Sequence, residues 1–273
     1  MLEFRSVALL ASVSLLGAAA CGGPEAPRAE APDTQTWEEF RASAVRDSEG
    51  VWIFDGDQAV ESEAALRAYF DANVATTASS RGGLVVYNTR GGGPEYDVKW
   101  NAAQKGNLTY CVSNSFGTNK ARVVAAMNEA TADWEATANV NFTHNTAFDA
   151  NCTSTQAGVL FDVRPVTTGG QYMARSFFPN ATRDVRNIVI DSTAFGPTVP
   201  WPLAGILRHE LGHVLGFRHE HVRYVPCSGE DRQWRPLTPY DRYSVMNYVE
   251  CGDDEIRFVL TDLDKQGARA LYP

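Results

Sequence analysis

Residues 209–219 read His-Glu-Leu-Gly-His-Val-Leu-Gly-Phe-Arg-His and contain three of the five histidines in a chain of 273 residues. Side chains four apart on an α-helix project from one face, one turn apart. His209 and His213 can therefore aim at one point only if this stretch is helical. A helix continued past Gly216 would carry His219 away from that point. Glycine lets the chain leave helical dihedrals without steric cost, which brings His219 round as a third ligand. Three neutral imidazoles leave one position of a tetrahedral ion open to water, the arrangement of a single catalytic Zn2+. Glu210 projects beside His209 toward that open position, as a general base on zinc-bound water would. A structured body must surround this element, and the helix is expected over residues 202–216.

The rest of the composition is compatible with such a body. Apolar residues make up 44% and charged residues 21% of the chain, ordinary values for a folded protein with an ample core. The formal charge of −9 is spread without a basic block, so no nucleic-acid partner is expected. No apolar run after the N-terminus is long enough to span a bilayer, and the expected state is a monomer.

The N-terminus stands apart. Arg5 precedes an apolar stretch over residues 7–20, interrupted only by Ser12, Ser14 and Gly17. That pattern reads as a secretory signal over residues 1–20. Ala18-Ala19-Ala20-Cys21-Gly22 resembles a bacterial lipoprotein signal, with Cys21 as the lipidated residue that anchors the chain to a membrane. Ala18 stands where that signal usually has leucine, and an ordinary signal cut nearby is the alternative. Either reading sends the chain out of the cytoplasm, to the cell envelope if Cys21 is lipidated. The four other cysteines, Cys111, Cys152, Cys227 and Cys251, form an even set suited to an oxidising compartment. Three pairings are open. Neighbour pairing, Cys111–Cys152 and Cys227–Cys251, is expected because each bond then closes a moderate loop. A cysteine-ligated zinc is disfavoured because no close Cys-x-x-Cys pair occurs.

Segment patterns divide the remainder. Residues 21–36 are a Pro/Ala/Glu tether with too little apolar content to fold. Residues 37–95 read as a small folded segment followed by a linker. The folded part has a short helix over 37–44, a strand over 51–54 and an amphipathic helix over 61–75. Glycine clusters beside Arg81 and Arg90 mark exposed cleavage sites. From residue 96 to 273 the patterns become dense: strands over 108–112, 140–143, 159–163 and 187–191, an extended segment over 172–178, and a long helix over 119–138 before the histidine helix. The class is α+β, built on a mixed sheet.

Downstream of the histidines stands Ser244-Val245-Met246-Asn247-Tyr248. The long histidine motif followed by Ser-Val-Met-x-Tyr resembles the metzincin clan of zinc endopeptidases. This resemblance covers residue 98 to the end. It implies a twisted mixed sheet, a long backing helix, the zinc-binding active-site helix and a small C-terminal subdomain, preceded by a short pro-segment. It makes Met246 the residue of the tight turn beneath the ligands. The segment from Gly216 to Arg223, and Tyr248 two places after the methionine, are most similar to astacins. There the matching tyrosine is a further zinc ligand and a transition-state donor, and Glu220 would pair with a newly made N-terminus.

Ala174-Arg175-Ser176-Phe177-Phe178-Pro179 is instead similar to the substrate-binding edge of matrixins. The histidines that hold a second, structural zinc in that family are missing, with Arg175 and Val189 in their neighbourhood. Residues 260–273 look like the closing helix of the clan. Phe54-Asp55-Gly56-Asp57 resembles the astacin pro-segment element whose aspartate occupies the zinc and enforces latency, which would be the role of Asp57. The usual apolar follower is replaced by Gln58, and a plain hairpin turn is the competing reading.

The implied activity is hydrolysis of internal bonds in protein or peptide substrates outside the cytoplasm. A surface-anchored binding protein on the same fold and a zinc amidase acting on cell-wall peptides are the alternatives. Cleavage after the pro-segment would release a lipid-anchored enzyme from the membrane.

Overall fold

The histidine helix is the axis on which the fold is built. α4 (Leu203–Val214) is buried at every one of its positions. A helix with no solvent face must be covered on all sides. In the computed structural model, residues 36–54, 56–73, 84–89, 96–223, 234–248 and 258–273 are described. The signal over 1–20, Cys21, the tether before residue 36, the glycine clusters at Arg81 and Arg90, and the Cys227–Cys251 pairing lie outside them. No helix among the described residues is long and apolar enough to cross a membrane.

Five strands form the main sheet: β6 (Leu108–Val112), β7 (Phe142–His144), β8 (Phe161–Val166), β9 (Ala174–Arg175) and β10 (Asn187–Asp191), in the order β7-β6-β8-β10-β9. β6 pairs in parallel with β7 and β8, and β8 with β10. Only the edge strand β9 runs antiparallel to its neighbour, with Val189 opposite Arg175 and Ile190 opposite Ala174. The expected extended segment over 172–178 is thus a strand of two residues. One sheet face carries Leu108, Tyr110, Val112, Phe161, Val163, Ile188 and Ile190 into the main core. There they meet Val123, Met127, Ala130 and Trp134 of α3 (Lys120–Glu135) and Leu207, Leu211 and Val214 of α4. The helical spacing of the α3 residues is what turns this face inward. On the opposite sheet face, Cys111 forms a disulfide with Cys152, at a Cα–Cα distance of 5.7 Å.

The N-terminal part has a small core of its own. α1 (Trp37–Ser43) opens with a capping box between Thr36 and Glu39. α1 and α2 (Glu63–Asn73) pack Phe40, Leu66, Tyr69 and Phe70 against Phe54 of a three-stranded sheet. That sheet contains β1 (Val45–Arg46), β2 (Trp52–Phe54) and β3 (Gln58–Val60), in that order. Val51 and Ile53 lie on the outer face of the main sheet, against Val166, Tyr172, Val185 and Val189.

Sequence pattern assigns all of 37–95 to a pro-segment and linker, but residues 84–89 do not behave as a linker. They include β4 (Val85–Thr89), which pairs with β5 (Tyr96–Asp97) and with β11 (Trp234–Pro236). Leu84 and Val86 belong to the main core. Val86 also bridges Phe217, while the Tyr87 N–H donates to the Gly216 carbonyl at 2.9 Å and the Arg218 N–H to the Val85 carbonyl at 2.9 Å. The chain leaving α4 is therefore guided by β4. Glycine runs flank this strand, and its partners Phe217 and Trp234–Pro236 lie far along the chain, so local pattern does not mark it.

The closing helix α5 (Asp262–Leu271) is anchored by Asp264, which is fully buried. Its carboxylate accepts from Ser244 Oγ at 2.5 Å, from the Val245 N–H at 2.9 Å and from the Thr261 N–H at 3.0 Å. Burial outweighs these donors and pushes the carboxyl up to about 6. A carboxyl raised above its unfolded value contributes stability below that value and loses it as pH climbs through the folded pKa. The difference in melting temperature between wild type and Asp264→Asn is expected to be larger near pH 4 than near pH 7. A melting series across that range checks this.

Candidate active site

The end of α4 shows why the third histidine can return. Leu215 caps the helix, and Gly216 follows at φ +97°. The Gly216 N–H donates to the His213 carbonyl at 2.8 Å and the Phe217 N–H to the Gly212 carbonyl at 2.9 Å, the paired bonds of a Schellman stop. A buried helix end leaves carbonyls to satisfy. Trp100 Nε1 donates to the Val214 carbonyl at 2.8 Å, and the Tyr272 hydroxyl donates to that of Leu215 at 2.7 Å. A Cβ on Gly216 would lie 2.1 Å from the Val98 carbonyl oxygen, so the position excludes a side chain for space as well as dihedral.

His209, His213 and His219 converge. His219 Nε2 lies 3.2 Å from His209 Nε2 and 3.1 Å from His213 Nε2. Their other nitrogens fix the tautomer. His209 Nδ1 meets the Val245 carbonyl at 2.7 Å and His213 Nδ1 meets that of Phe217 at 2.8 Å. A carbonyl can only accept, so both Nδ1 atoms carry the proton and both Nε2 atoms present lone pairs to the centre. Burial pushes His213 down to about 4, so it stays neutral, as a metal ligand must.

The fourth side chain is Asp57, at the tip of the β2–β3 hairpin. Its oxygens lie 3.3 Å from His209 Nε2, 3.5 Å from His213 Nε2 and 3.2 Å from His219 Nε2. Among the described residues, these four form the group able to hold a metal ion. Zinc bonds to nitrogen and oxygen of about 2.0–2.1 Å place the corners of a tetrahedron about 3.3 Å apart. The observed separations match that figure, so the donor set fits a zinc ion in both chemistry and size. Burial alone would raise the Asp57 carboxyl, but His219 and His213 beside it hold it well below the usual range. Phe54 pairs with Gln58 across the hairpin, and Asp57 between them stands beside the histidines.

Glu210 is buried beside the ligands, and its carboxyl is raised well above the ordinary value, first by burial and then by the charge of Asp57. Tyr248 stacks on the site, its ring centroid 4.3 Å from that of His219 and 5.8 Å from that of His209. The turn carrying Asp57 lies against it: a Cβ on Gly56 (φ +86°) would come within 2.5 Å of the tyrosine oxygen. Met246 is wholly buried beneath α4, where a Cβ on Gly212 would lie 2.2 Å from its sulfur. His221 is buried and stacks on His219 with centroids 5.0 Å apart. Glu220 is also buried; its N–H donates to the Met246 carbonyl at 2.8 Å, and its Oε1 accepts from the Asp241 N–H at 2.8 Å.

A cavity of about 390 Å3 opens beside the ligands, lined by Tyr172, Met173 and Ala174 from the edge segment and by Trp201, Ile206 and Phe258 across from it. Sequence pattern misses the edge partners of this site. Arg175 looks like a vacancy where a histidine is missing, yet it is fully buried and pairs with Asp47. The signal that could have found it is a charged residue inside an otherwise apolar edge strand.

Residues 99–225 match the sequence model of the matrixin family. No curated protein matches the chain. Among solved structures, it is similar to myroilysin at 16% identity and a TM-score of 0.47, covering 69% of this chain and 98% of that one. It is also similar to a hatching-enzyme zinc protease, high choriolytic enzyme 1 of the medaka fish Oryzias latipes, at 16% identity and a TM-score of 0.41, covering 64% and 94%. The geometry of Gly216 makes a specific demand. Gly216→Ala is expected to cost about 1–3 kcal/mol from the positive φ alone, with the Val98 clash in addition. It should also weaken zinc binding by displacing His219; thermal melting and chelator competition measure the two effects.

Proposed function

We propose that this metzincin-clan zinc metalloendopeptidase uses Glu210 as its general base, acts on proteins outside the cytoplasm, and is held latent by Asp57 until residues of the 37–95 segment are removed. The clan and the catalytic zinc rest on the matrixin match over residues 99–225 and on the histidine site. The observation that carries the latency reading is the carboxylate of Asp57 at 3.2–3.5 Å from all three ligand nitrogens. A substrate carbonyl or an attacking water needs that same place.

His209, His213 and His219 would hold the ion, which when bound polarises the scissile carbonyl and acidifies water. Glu210, lining the cavity next to His209, accepts the proton of the attacking water and returns it to the leaving amine. Tyr248 donates its hydroxyl to the oxygen on which negative charge develops. The substrate backbone lies extended along the edge segment around β9, whose outward side has no strand partner among the described residues, while a side chain enters the cavity bounded by Trp201, Ile206 and Phe258.

Export is supported by the signal-like stretch over 7–20 and by the Cys111–Cys152 disulfide, which persists in an oxidising compartment. With Cys21 lipidated, the anchor belongs to the segment that is removed, and cleavage near Arg81 or Arg90 releases the enzyme. A cut there would fall before β4, which belongs with the main core, or between β4 and β5.

Glu210→Ala is expected to retain zinc and to lose at least about a hundredfold in peptide hydrolysis. Metal analysis beside a casein assay checks it, and retained proteolysis overturns the assignment. Full-length Asp57→Ala is expected to hydrolyse peptide without prior processing, several-fold above unprocessed wild type. Equal activity of the two would refute latency through this residue.

A further inference from the structure

Asp57 is one of two acidic contacts by which the N-terminal segment meets the cleft. The second lies on the outer face of β9. Arg175 is fully buried there, opposite Val189 and beside Tyr172. Its Nη1 donates to Asn187 Oδ1 at 2.6 Å, and its Nε and Nη2 both donate to Asp47 Oδ2, at 3.2 and 3.0 Å. The Tyr172 hydroxyl donates to the same oxygen at 3.1 Å. Glu49 Oε2 stands 3.3 Å from Nη2. One carboxylate oxygen thus collects three donors from two side chains of the edge segment. The other Asp47 oxygen is held by its own turn, through the Glu49 and Val51 N–H groups at 2.9 and 3.0 Å.

The donors and the acceptor have different fates. Arg175, Tyr172 and Asn187 belong to the main sheet and its edge; Asp47 and Glu49 belong to the segment that also carries Asp57. Arg164, which pairs with Glu49, also has Asp162 at 2.8 Å within the main body. In that body, among the described residues, Arg175 keeps only neutral hydrogen-bonding partners, Asn187 and Tyr172. A desolvated guanidinium that has lost its anion is costly, and a carboxylate arriving in the same geometry recovers the loss. The place is within reach of substrate: Tyr172, Met173 and Ala174 line the cavity with His209 and Glu210, and the charge of Arg175 acts on Glu210.

We infer that Arg175 and Tyr172 form a carboxylate-binding subsite of the processed enzyme, filled by Asp47 in this structure, which selects substrates with an acidic side chain on the edge-strand side of the scissile bond. This rests on the reading that the N-terminal segment leaves its place on processing. The segment is then a substrate mimic at two points, with Asp57 at the metal and Asp47 in the specificity site. The turn around Asp47, closed through Oδ1 on the Glu49 and Val51 N–H groups, leaves Oδ2 to Arg175 and Tyr172.

The test uses full-length protein activated by limited proteolysis and matched fluorogenic peptides that differ only in Asp or Asn, scanned along the sequence. At one position the acidic peptide is expected to have a kcat/KM about tenfold above its amide twin, as one charge-assisted contact provides. Tyr172→Phe, which removes one donor and leaves the space filled, should lower that ratio several-fold, and Arg175→Met should bring it close to one. If Arg175→Met fails to fold, the Tyr172→Phe ratio decides. An acid-to-amide ratio near one at every position of the wild type, or a ratio unchanged in the variants, overturns the subsite and leaves Asp47 as a latch for the segment. Whether proteolysis raises activity at all is read separately with the all-amide peptide. A failure there sinks the latency reading and not the acid preference.

Discussion

His219 Nε2 stands 3.1–3.2 Å from the Nε2 atoms of His209 and His213, a spacing at which facing lone pairs repel unless a cation lies between them. Much of the tertiary structure serves to hold them in that arrangement. The Val245 carbonyl holds His209 through Nδ1, and Val245 is held in turn by Asp264 at the start of α5. His213 is held by the Phe217 carbonyl, within the same stop that turns the chain toward His219. β4 lines up the residues in between. The closing helix, the methionine turn and the strand before the main sheet are thus one scaffold around three nitrogens. Such scaffolding is the ordinary requirement for tuning a metal site, because ligands free to rotate would relax apart.

The N-terminal segment is fitted to the same body by a different principle. Val51 and Ile53 cover apolar side chains on the outer sheet face, while Asp47 and Asp57 place carboxylates where the body presents donors or ligand nitrogens. Apolar cover gives adhesion without direction. The two carboxylates supply the direction, since each fits one oriented set of partners. The segment also has a small core of its own, Phe40, Phe54, Leu66, Tyr69 and Phe70, distinct from the main one.

Elements with strong local period were legible before any coordinates. α3, β6 and β10 fall within a few residues of their patterns, because their buried side chains recur at helical or strand spacing. The edge strand shrank to Ala174–Arg175, and β4, β5 and β11 left no clear signal, since short strands are defined by partners far along the chain. Gly212 illustrates the same limit within the motif. Its identity inside a helix looks like a defect, and the reason for it is the sulfur of Met246, more than thirty residues later.

The sequence by itself determined the chemistry: two histidines and a glutamate on one helix, a glycine that ends it and a third histidine three residues on, with a methionine and a tyrosine downstream. That information is local, because helical geometry converts spacing directly into direction. Only the tertiary structure put Asp57, which the sequence left between two readings, beside the histidines and brought in Asp47, which the sequence did not mark. Asp57 and Asp47 lie more than a hundred residues from their partners, and their roles depend on how one hairpin packs against one sheet edge. Burial and pairing are properties of that packing. No spacing along the chain encodes the distance at which a carboxylate and a guanidinium meet.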